Sequence, residues 1–158
     1  MTHDDLIALA ARWLRRDHPI VVTEMSSAAL ESPDALGFKW GTTTLIECKA
    51  SRADFLSDAK KIFRRMPERG MGNKRYYLCP AGMIDVTELP DRWGLLYHKA
   101  GKVHTVRKAV ECEKDAVVEN MFLMSVIRRI GQDAPEGISI KVYTIATRNR
   151  ASLYLRED

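Results

Sequence analysis

The sequence predicts an α/β protein in which a mixed β-sheet is flanked by helices, with its first elements in the order α-β-β-β-α-β. Two observations support this fold class. Short apolar, β-branched stretches alternate with longer stretches of helical periodicity, and prolines or glycines separate most of them. A chain of 158 residues is long enough for one domain with a substantial core. We therefore expect a single domain over residues 1–158, with its core at about 4–110 and a C-terminal helix and extension at 111–158.

The first helix is predicted over residues 4–16, where apolar residues recur at helical spacing. Thr2 precedes it as a potential N-cap, and two aspartates near its start suit the positive end of the helix dipole. Pro19 interrupts this helix, and the apolar run after it predicts a short strand that ends at Glu24. The segment 25–32 is polar, and we expect a mobile loop there.

Two strands follow and are expected to fold back on each other near Gly41-Thr42. The first is predicted over residues 35–40, directly after Pro33-Asp34. The second begins at Thr43 and is β-branched and apolar, as a buried strand should be, until it reaches Glu47.

The second helix is predicted to begin at Ser51 and to run to about residue 65, before Pro67. Ser51 and Asp54 have the spacing of a capping box. Its buried face is expected to contain Phe55, Ala59, Ile62, Phe63 and Met66. The later elements are a strand at 75–79, hairpin strands at 93–98 and 102–108 that turn at Ala100-Gly101, a helix at 114–130 and a strand-like segment at 138–143.

The composition is compatible with a soluble nucleic-acid enzyme. Lys and Arg total 25 against 21 acidic residues, and the resulting charge of +4 permits nucleic-acid binding without requiring it. No apolar run approaches the ~20 residues of a membrane span, and the N-terminus lacks a signal-peptide core, so we expect no membrane association. Three widely separated cysteines have no zinc-ligand spacing and are typical of reduced thiols in a cytoplasmic protein.

The most informative motif is Glu47-Cys48-Lys49 at the end of a strand. Side chains alternate along a strand, so Glu47 and Lys49 should project to one side while Cys48 turns away. The predicted turn would bring Asp34 alongside, which places two carboxylates and one ammonium at one corner of the sheet. Such a corner suits a hard cation such as Mg²⁺. Glu-x-Lys and Pro-Asp are each common, however, and solvated surface charges are the alternative.

The surrounding residues resemble the PD-(D/E)xK nuclease superfamily, and most closely the MmcB-type DNA-repair proteins and their phage-borne relatives. The resemblance covers about residues 5–110 and includes the later segments 75–80 and 89–96. It rests on Glu24, Asp34, Glu47, Lys49, Ser51, Asp54, Phe55, Asp58 and Lys60. Relatives often carry Arg-Ala-Asp where this chain has Ser32-Pro33-Asp34, which restores the Pro-Asp signature of the superfamily.

The resemblance implies a restriction-endonuclease-like core and a metal-dependent active site. Mg²⁺ or Mn²⁺ would be held by Asp34, Glu47 and the backbone carbonyl of Cys48, and Glu24 would contribute through water. Lys49 would be catalytic, either orienting or deprotonating water or offsetting negative charge. Ser51, Asp54, Asp58 and Lys60 are site-adjacent candidates. On the residues alone, the first two are helix caps and the last two belong to a solvated helix face.

A basic stretch follows the motif and predicts contacts with DNA phosphates. Its members are Lys61, Arg64, Arg65, Lys74 and Arg75. The alternative is that these residues form the exposed side of an amphipathic helix. Trp40, Tyr76 and Tyr77 could stack on bases, but we expect them in the core.

Together with these patterns, the resemblance implies a Mg²⁺-dependent deoxyribonuclease that acts in repair, recombination or phage DNA processing. A non-catalytic DNA-binding or assembly module with the same fold is the alternative, and an enzyme for RNA or branched DNA is a third possibility. A homodimer is possible, since nucleases that cut both strands often pair two active sites.

Overall fold

A computed structural model describes residues 1–25 and 31–132 of the chain. Six strands form one sheet: β1 (Ile20–Thr23), β2 (Ala35–Lys39), β3 (Thr42–Cys48), β4 (Lys74–Pro80), β5 (Gly94–Lys99) and β6 (Lys102–Arg107). The helices are α1 (His3–Leu14), α2 (Arg52–Asp58), α3 (Ile62–Arg65) and α4 (Ala116–Gln132), with 3₁₀ turns at Pro67–Arg69 and Val86–Glu88.

The strands lie side by side in chain order. β3 pairs with β4 and β4 with β5 in parallel, whereas the other three neighbouring pairs are antiparallel. The parallel β3–β4 pair requires a crossover connection, and this connection contains α2 and α3. The predicted mixed α/β sheet with flanking helices is therefore confirmed.

Each face of the sheet has its own apolar core. On one face, α1 packs against side chains that include Ile46, Cys48 and Leu78. On the other, Leu45 and Tyr77 pack with Phe55, Trp93 and Phe122, among others. The strand residues of the two cores alternate along β3 and β4, as a pleated strand requires. α1 begins with the predicted Thr2 cap, completed by Asp5 as a capping box, and ends at Leu14, two residues earlier than expected.

The β2–β3 hairpin corrects one prediction about aromatic residues. Its loop residues Trp40 and Gly41 both have positive φ angles, 45° and 82°, which is the pattern of a type I′ turn. Trp40 occupies this tip outside the sheet and is 88% exposed. The expectation that it is a core residue is wrong, whereas Tyr76 and Tyr77 are buried as predicted.

The second predicted helix is interrupted. α2 ends at Asp58, and α3 begins at Ile62 after a turn. Phe55 is buried as expected, but Ala59, Ile62 and Met66 are exposed. The predicted burial of those three residues is therefore wrong, and the reason lies in the contacts of Asp58 described below.

The remaining predictions divide between confirmed and undescribed segments. The β5–β6 hairpin is confirmed, and α4 starts two residues after the predicted position. The segment 25–32 was expected to be a polar loop, yet Met25 and Glu31 are buried, and 26–30 lie outside the described residues. The predicted strand at 138–143 also lies outside them. Within the described ranges, no helix is long and apolar enough to cross a membrane.

Candidate active site

The ends of β2 and β3 bring Asp34 next to the Glu47-Cys48-Lys49 motif. β2 and β3 pair with Ala35 opposite Ile46, so Asp34 precedes β2 at the point where Glu47 nears the end of β3. Asp34 Oδ2 accepts a hydrogen bond of 2.7 Å from the backbone N–H of Cys48. The hairpin therefore places two carboxylates at one corner of the sheet.

The motif divides its side chains between the two faces. Cys48 packs in the α1 core, and burial, reinforced by the charge of Asp34, raises the pKa of its thiol. Glu47 and Lys49 project together to the other side, where Lys49 Nζ lies 3.3 Å from Glu47 Oε2. Both of these charged side chains are almost completely buried.

Asp58 is the acceptor that organises this face of the site. It is 1% exposed and accepts hydrogen bonds from Lys49 Nζ (3.2 Å), the Tyr77 hydroxyl (2.6 Å) and Arg64 Nε (2.6 Å). Burial alone would raise the pKa of Asp58, but Arg64, Lys61 and Tyr77 together hold it below its usual value. The side chain therefore remains a carboxylate between fixed donors.

Arg64 is a buried component of the same ion cluster. Its side chain is 2% exposed, contacts Glu47 Oε2 at 3.4 Å and Glu31 Oε1 at 3.2 Å, and lies 4.4 Å from the ring centroid of Trp93. Burial opposes its charge, but Glu47, Tyr77 and Asp58 outweigh burial and raise the pKa of Arg64. The predicted surface contact between Arg64 and DNA is thus corrected, because this guanidinium faces the interior.

The interruption between α2 and α3 explains how Arg64 reaches Asp58. In a continuous α-helix, residues six apart lie about 120° apart around the axis and about 9 Å apart along it. A side chain at position 64 would then point away from Asp58. Because the chain leaves the helix after Asp58 and starts α3 at Ile62, Arg64 Nε reaches Asp58 Oδ2 at 2.6 Å.

Glu47 is the least satisfied carboxylate of the cluster. Burial raises its pKa, and the charge of Asp34 adds to this rise, although Arg64, Lys49 and Lys61 act in the opposite direction. Its Oε2 contacts these three cations at 3.3–3.7 Å. Its Oε1 is buried and has no hydrogen-bond partner among the described residues. A buried, unpaired carboxylate oxygen is costly unless a ligand satisfies it.

The residues at this corner fit a hard divalent cation. Glu47 Oε1, which has no partner in the described ranges, and the adjacent carboxylate of Asp34 are oxygen donors of the kind that Mg²⁺ prefers. The N–H and C=O of a strand residue point to the same side, so the Cys48 carbonyl is expected on the side where its N–H meets Asp34. In the described ranges, no group of three or more His, Cys, Asp or Glu is arranged for a metal. The remaining ligands would therefore be water, substrate or this carbonyl.

Glu24, predicted to be catalytic through water, and the remaining site-adjacent candidates are distributed unevenly around this corner. Glu24 is exposed, and its backbone N–H donates to the Asp34 carbonyl at 3.2 Å. Ser51 caps α2 by accepting from the backbone N–H of Asp54, and the Asp54 carboxylate lies 3.9 Å from Lys49 Nζ. Lys60 is exposed on the turn after α2. Lys61, the next residue, reaches Asp58 Oδ1 at 2.8 Å.

Lys61 differs from the buried cations because nearly half of its side chain, 47%, is exposed. Burial alone would lower the pKa of this ammonium, but Glu47 and Asp58 outweigh burial and raise it.

Arg75 was also predicted to contact DNA phosphates, and this prediction is corrected because the side chain is buried. This side chain is 2% exposed and donates to several backbone carbonyls, including those of Met71, Gly70 and Glu113. It therefore fixes the segment before β4. Lys74 remains on the surface and pairs with Glu111 at 3.2 Å. The side chain of Arg65 lies outside the described part of the chain.

Sequence reasoning missed three participants. Glu31 is buried, pairs with Arg64 and accepts from the backbone N–H of Met71 at 2.5 Å. Tyr77 donates its hydroxyl to Asp58, and His3 Nε2 lies 3.2 Å from Asp34 Oδ1. The one available signal was the tyrosine, because a hydroxyl on a buried strand needs a polar partner. Glu31 and His3 gave no local signal.

Comparison with known proteins bears on the fold alone. A solved structure that matches is a protein of unknown function from Silicibacter pomeroyi, with 28% sequence identity and a TM-score of 0.63. The match covers 89% of this chain and 97% of that chain. No family model and no curated protein matches the chain.

Proposed function

We propose that this chain is a metal-dependent deoxyribonuclease with a PD-(D/E)xK restriction-endonuclease-like core, acting in DNA repair, recombination or phage DNA processing. One observation carries the proposal: Glu47 Oε1 is buried without a hydrogen-bond partner among the described residues, beside Asp34 and Lys49. A protein that needed these charges only for stability would gain by satisfying this oxygen. The resemblance of residues 5–110 to the superfamily supplies the reaction type.

Asp34, Glu47 and the Cys48 carbonyl would hold Mg²⁺ or Mn²⁺, with Glu24 contributing through water. When bound, such an ion lowers the pKa of water and offsets charge on a phosphoryl group. The hydrogen bond from the Cys48 N–H fixes one Asp34 oxygen. The raised pKa of Glu47 indicates that its ionised form lacks sufficient compensation, and a cation would provide it.

Lys49 has the surroundings of an oriented donor. Its ammonium lies 3.3 Å from Glu47, 3.2 Å from Asp58 and 3.9 Å from Asp54. These carboxylates direct the amine toward the corner that holds Glu47. A fixed ammonium can hold a water molecule or stabilise developing negative charge on a phosphate oxygen. Asp58 acts through Lys49 and is therefore a positioning residue.

A DNA-binding or assembly module without cleavage is the second candidate. The observation in its favour is that Glu47 Oε2 already contacts Lys49, Lys61 and Arg64. Three cations around one carboxylate compensate much of its charge without a metal. Metal-independent, salt-sensitive DNA binding would be the signature of this alternative.

Cleavage assays with matched variants test the proposal. Purified protein is incubated with single-stranded DNA, duplex DNA, branched DNA or RNA, in Mg²⁺, Mn²⁺ or EDTA. We expect metal-dependent cleavage of DNA that falls by about 100-fold or more in Glu47→Gln and Lys49→Met. Both variants are close in volume to the wild type, and thermal unfolding verifies that they fold. Absence of cleavage by the wild type would refute the enzyme, and retained DNA binding would then favour the binding module. Full cleavage by both folded variants would refute the assignment of Glu47 and Lys49 to the active site.

A further inference from the structure

Three cations share the same two carboxylates in the candidate active site. Lys49, Lys61 and Arg64 each lie within 3.7 Å of Glu47 Oε2. Each also contacts Asp58, at 3.2, 2.8 and 2.6 Å respectively. The space between Glu47 and Asp58 is therefore filled by positive charge from three directions.

Only one of these three cations is positioned to leave. The side chains of Lys49 and Arg64 are 4% and 2% exposed, and Arg64 is further held by Glu31 and by the Trp93 ring. Lys61 is 47% exposed and lies on the turn between α2 and α3. Its flexible side chain can rotate into solvent without disturbing the core.

The charge of the cluster makes such a movement consequential. With every group ionised, Glu31, Glu47 and Asp58 balance the three cations. Asp34 and Asp54, which lies 3.9 Å from Lys49 Nζ, leave the corner with two net negative charges. A divalent cation at Glu47 and Asp34 would bring two positive charges next to the Lys61 ammonium. Two cations that contact the same carboxylate repel each other, and partial burial weakens the screening of this repulsion by solvent.

We propose that Lys61 is a displaceable counterion of the metal site. In the metal-free protein, its ammonium neutralises Glu47 and Asp58 and prevents their mutual repulsion. Metal binding expels the ammonium from this position, and the freed side chain becomes a donor for a phosphate of the nucleic acid. The inference rests on the proposed function, because it requires that a divalent cation binds at Glu47.

The first test compares Mn²⁺ affinity by titration calorimetry in the absence of DNA. Lys61→Met removes the competing charge and should bind Mn²⁺ about tenfold or more tightly than the wild type. Lys60→Met is the matched control, because Lys60 is exposed on the same turn and its loss changes the net charge equally. Its affinity should stay within about twofold of the wild type.

The second test measures the movement itself. Amine acylation followed by peptide mass spectrometry is performed with and without Mn²⁺. Labelling of Lys61 should rise several-fold when metal is added, whereas labelling of Lys60 should not change. Lys61→Met is checked by thermal unfolding so that an altered affinity is not attributed to a damaged fold.

The outcomes separate the two proposals. If Mn²⁺ binds wild type and Lys61→Met equally and Lys61 labelling is constant, the counterion role is wrong and the metal site stands. If Mn²⁺ binds neither protein, the proposed metal-dependent function fails as well. Mn²⁺ binding in Lys61→Met alone supports the counterion role in its strongest form.

Discussion

A buried glutamate with its ion cluster lies at each end of β3. The two glutamates differ in how completely their carboxylate oxygens are paired. At the end where β3 begins, Glu119 of α4 accepts from the Thr43 hydroxyl at 2.6 Å and from the Gly72 N–H at 2.9 Å. Its other oxygen lies 2.7 Å from Lys114 Nζ. At the opposite end, about 13 Å along the strand, Glu47 has one oxygen crowded by cations and one without a described partner.

The difference separates a structural ion cluster from a candidate active site. Both carboxylates are buried, so burial and charge alone do not identify function. Each oxygen of Glu119 has a fixed partner, and the cluster joins α4 to β3. The arrangement around Glu47 leaves unmet demand for a positive ligand, which is the property that a metal site needs.

The largest expected effect concerns cleavage of DNA. Glu47→Gln and Glu119→Gln remove one buried charge each with little change in volume. We expect the first to lower the cleavage rate by about 100-fold or more, because it removes a proposed metal ligand. The second should stay within about threefold at a temperature where the variant is folded. Equal loss in both variants would show that the two clusters do not differ in function.

The second prediction compares the stability of the same two variants in the absence of metal. Here Glu119→Gln should have the larger effect. Glu119→Gln should lower the free energy of unfolding by about 2 kcal/mol, since it disrupts bonds to Thr43, Gly72 and Lys114. Glu47→Gln should lower it by less, because burial raises the pKa of Glu47 and so reduces the stabilisation that its charge provides. Urea unfolding in EDTA measures both values. A larger loss in Glu47→Gln would contradict the assignment.

The smallest expected effect is the dependence of stability on acid. The pKa of Asp58 is lowered from an ordinary value of 3.8. Its stabilising contribution is therefore complete above that value and is lost as pH falls from 3.8 through the folded pKa. The acid limb is the fall in the free energy of unfolding as pH decreases. In Asp58→Asn this fall should be smaller by about 1 kcal/mol between roughly pH 4 and pH 3. Unfolding measured across this range tests it.

Asp91→Asn, at an exposed position, is the control for the acid limb. An unchanged limb in Asp58→Asn would show that other carboxylates determine it. Glu47 contributes with the opposite sign, because stability from a raised pKa is lost as pH rises through the folded value.

Local pattern was sufficient to predict the sheet and the position of the Glu47-Cys48-Lys49 motif. The β-branched approach to Glu47, the turn after β2 and the alternation of faces depend on neighbours along the chain. The Thr2 cap and the β5–β6 hairpin have the same local origin. These features follow from periodicity and turn chemistry, which a single sequence contains.

The interior of the site could not be predicted in the same way. No glycine or proline signals the interruption of the helix after Asp58. The partners of Asp58 are Tyr77, which lies on another element, and Arg64, which does not lie at helical spacing from it. Arg64 and Arg75 belong to a basic stretch that is typical of a surface. Their burial is decided by carboxylates and backbone carbonyls that the fold brings from elsewhere. Trp40 stands in a turn position where asparagine is the usual residue, so its exposure had no signal.

The ring beneath Arg64 gives the candidate site an optical property. Trp93 is buried, stacks on Tyr77 with ring centroids 4.5 Å apart and lies 4.4 Å from the guanidinium carbon. An indole in contact with a cation emits according to the field around it, so a change in the ion cluster alters the fluorescence of Trp93. The exposed Trp40, at the far hairpin tip, emits as a solvated indole. Of the three tryptophans, Trp93 therefore reports on the site and Trp40 on solvent, whereas Trp13 packs against Tyr76 in the other core.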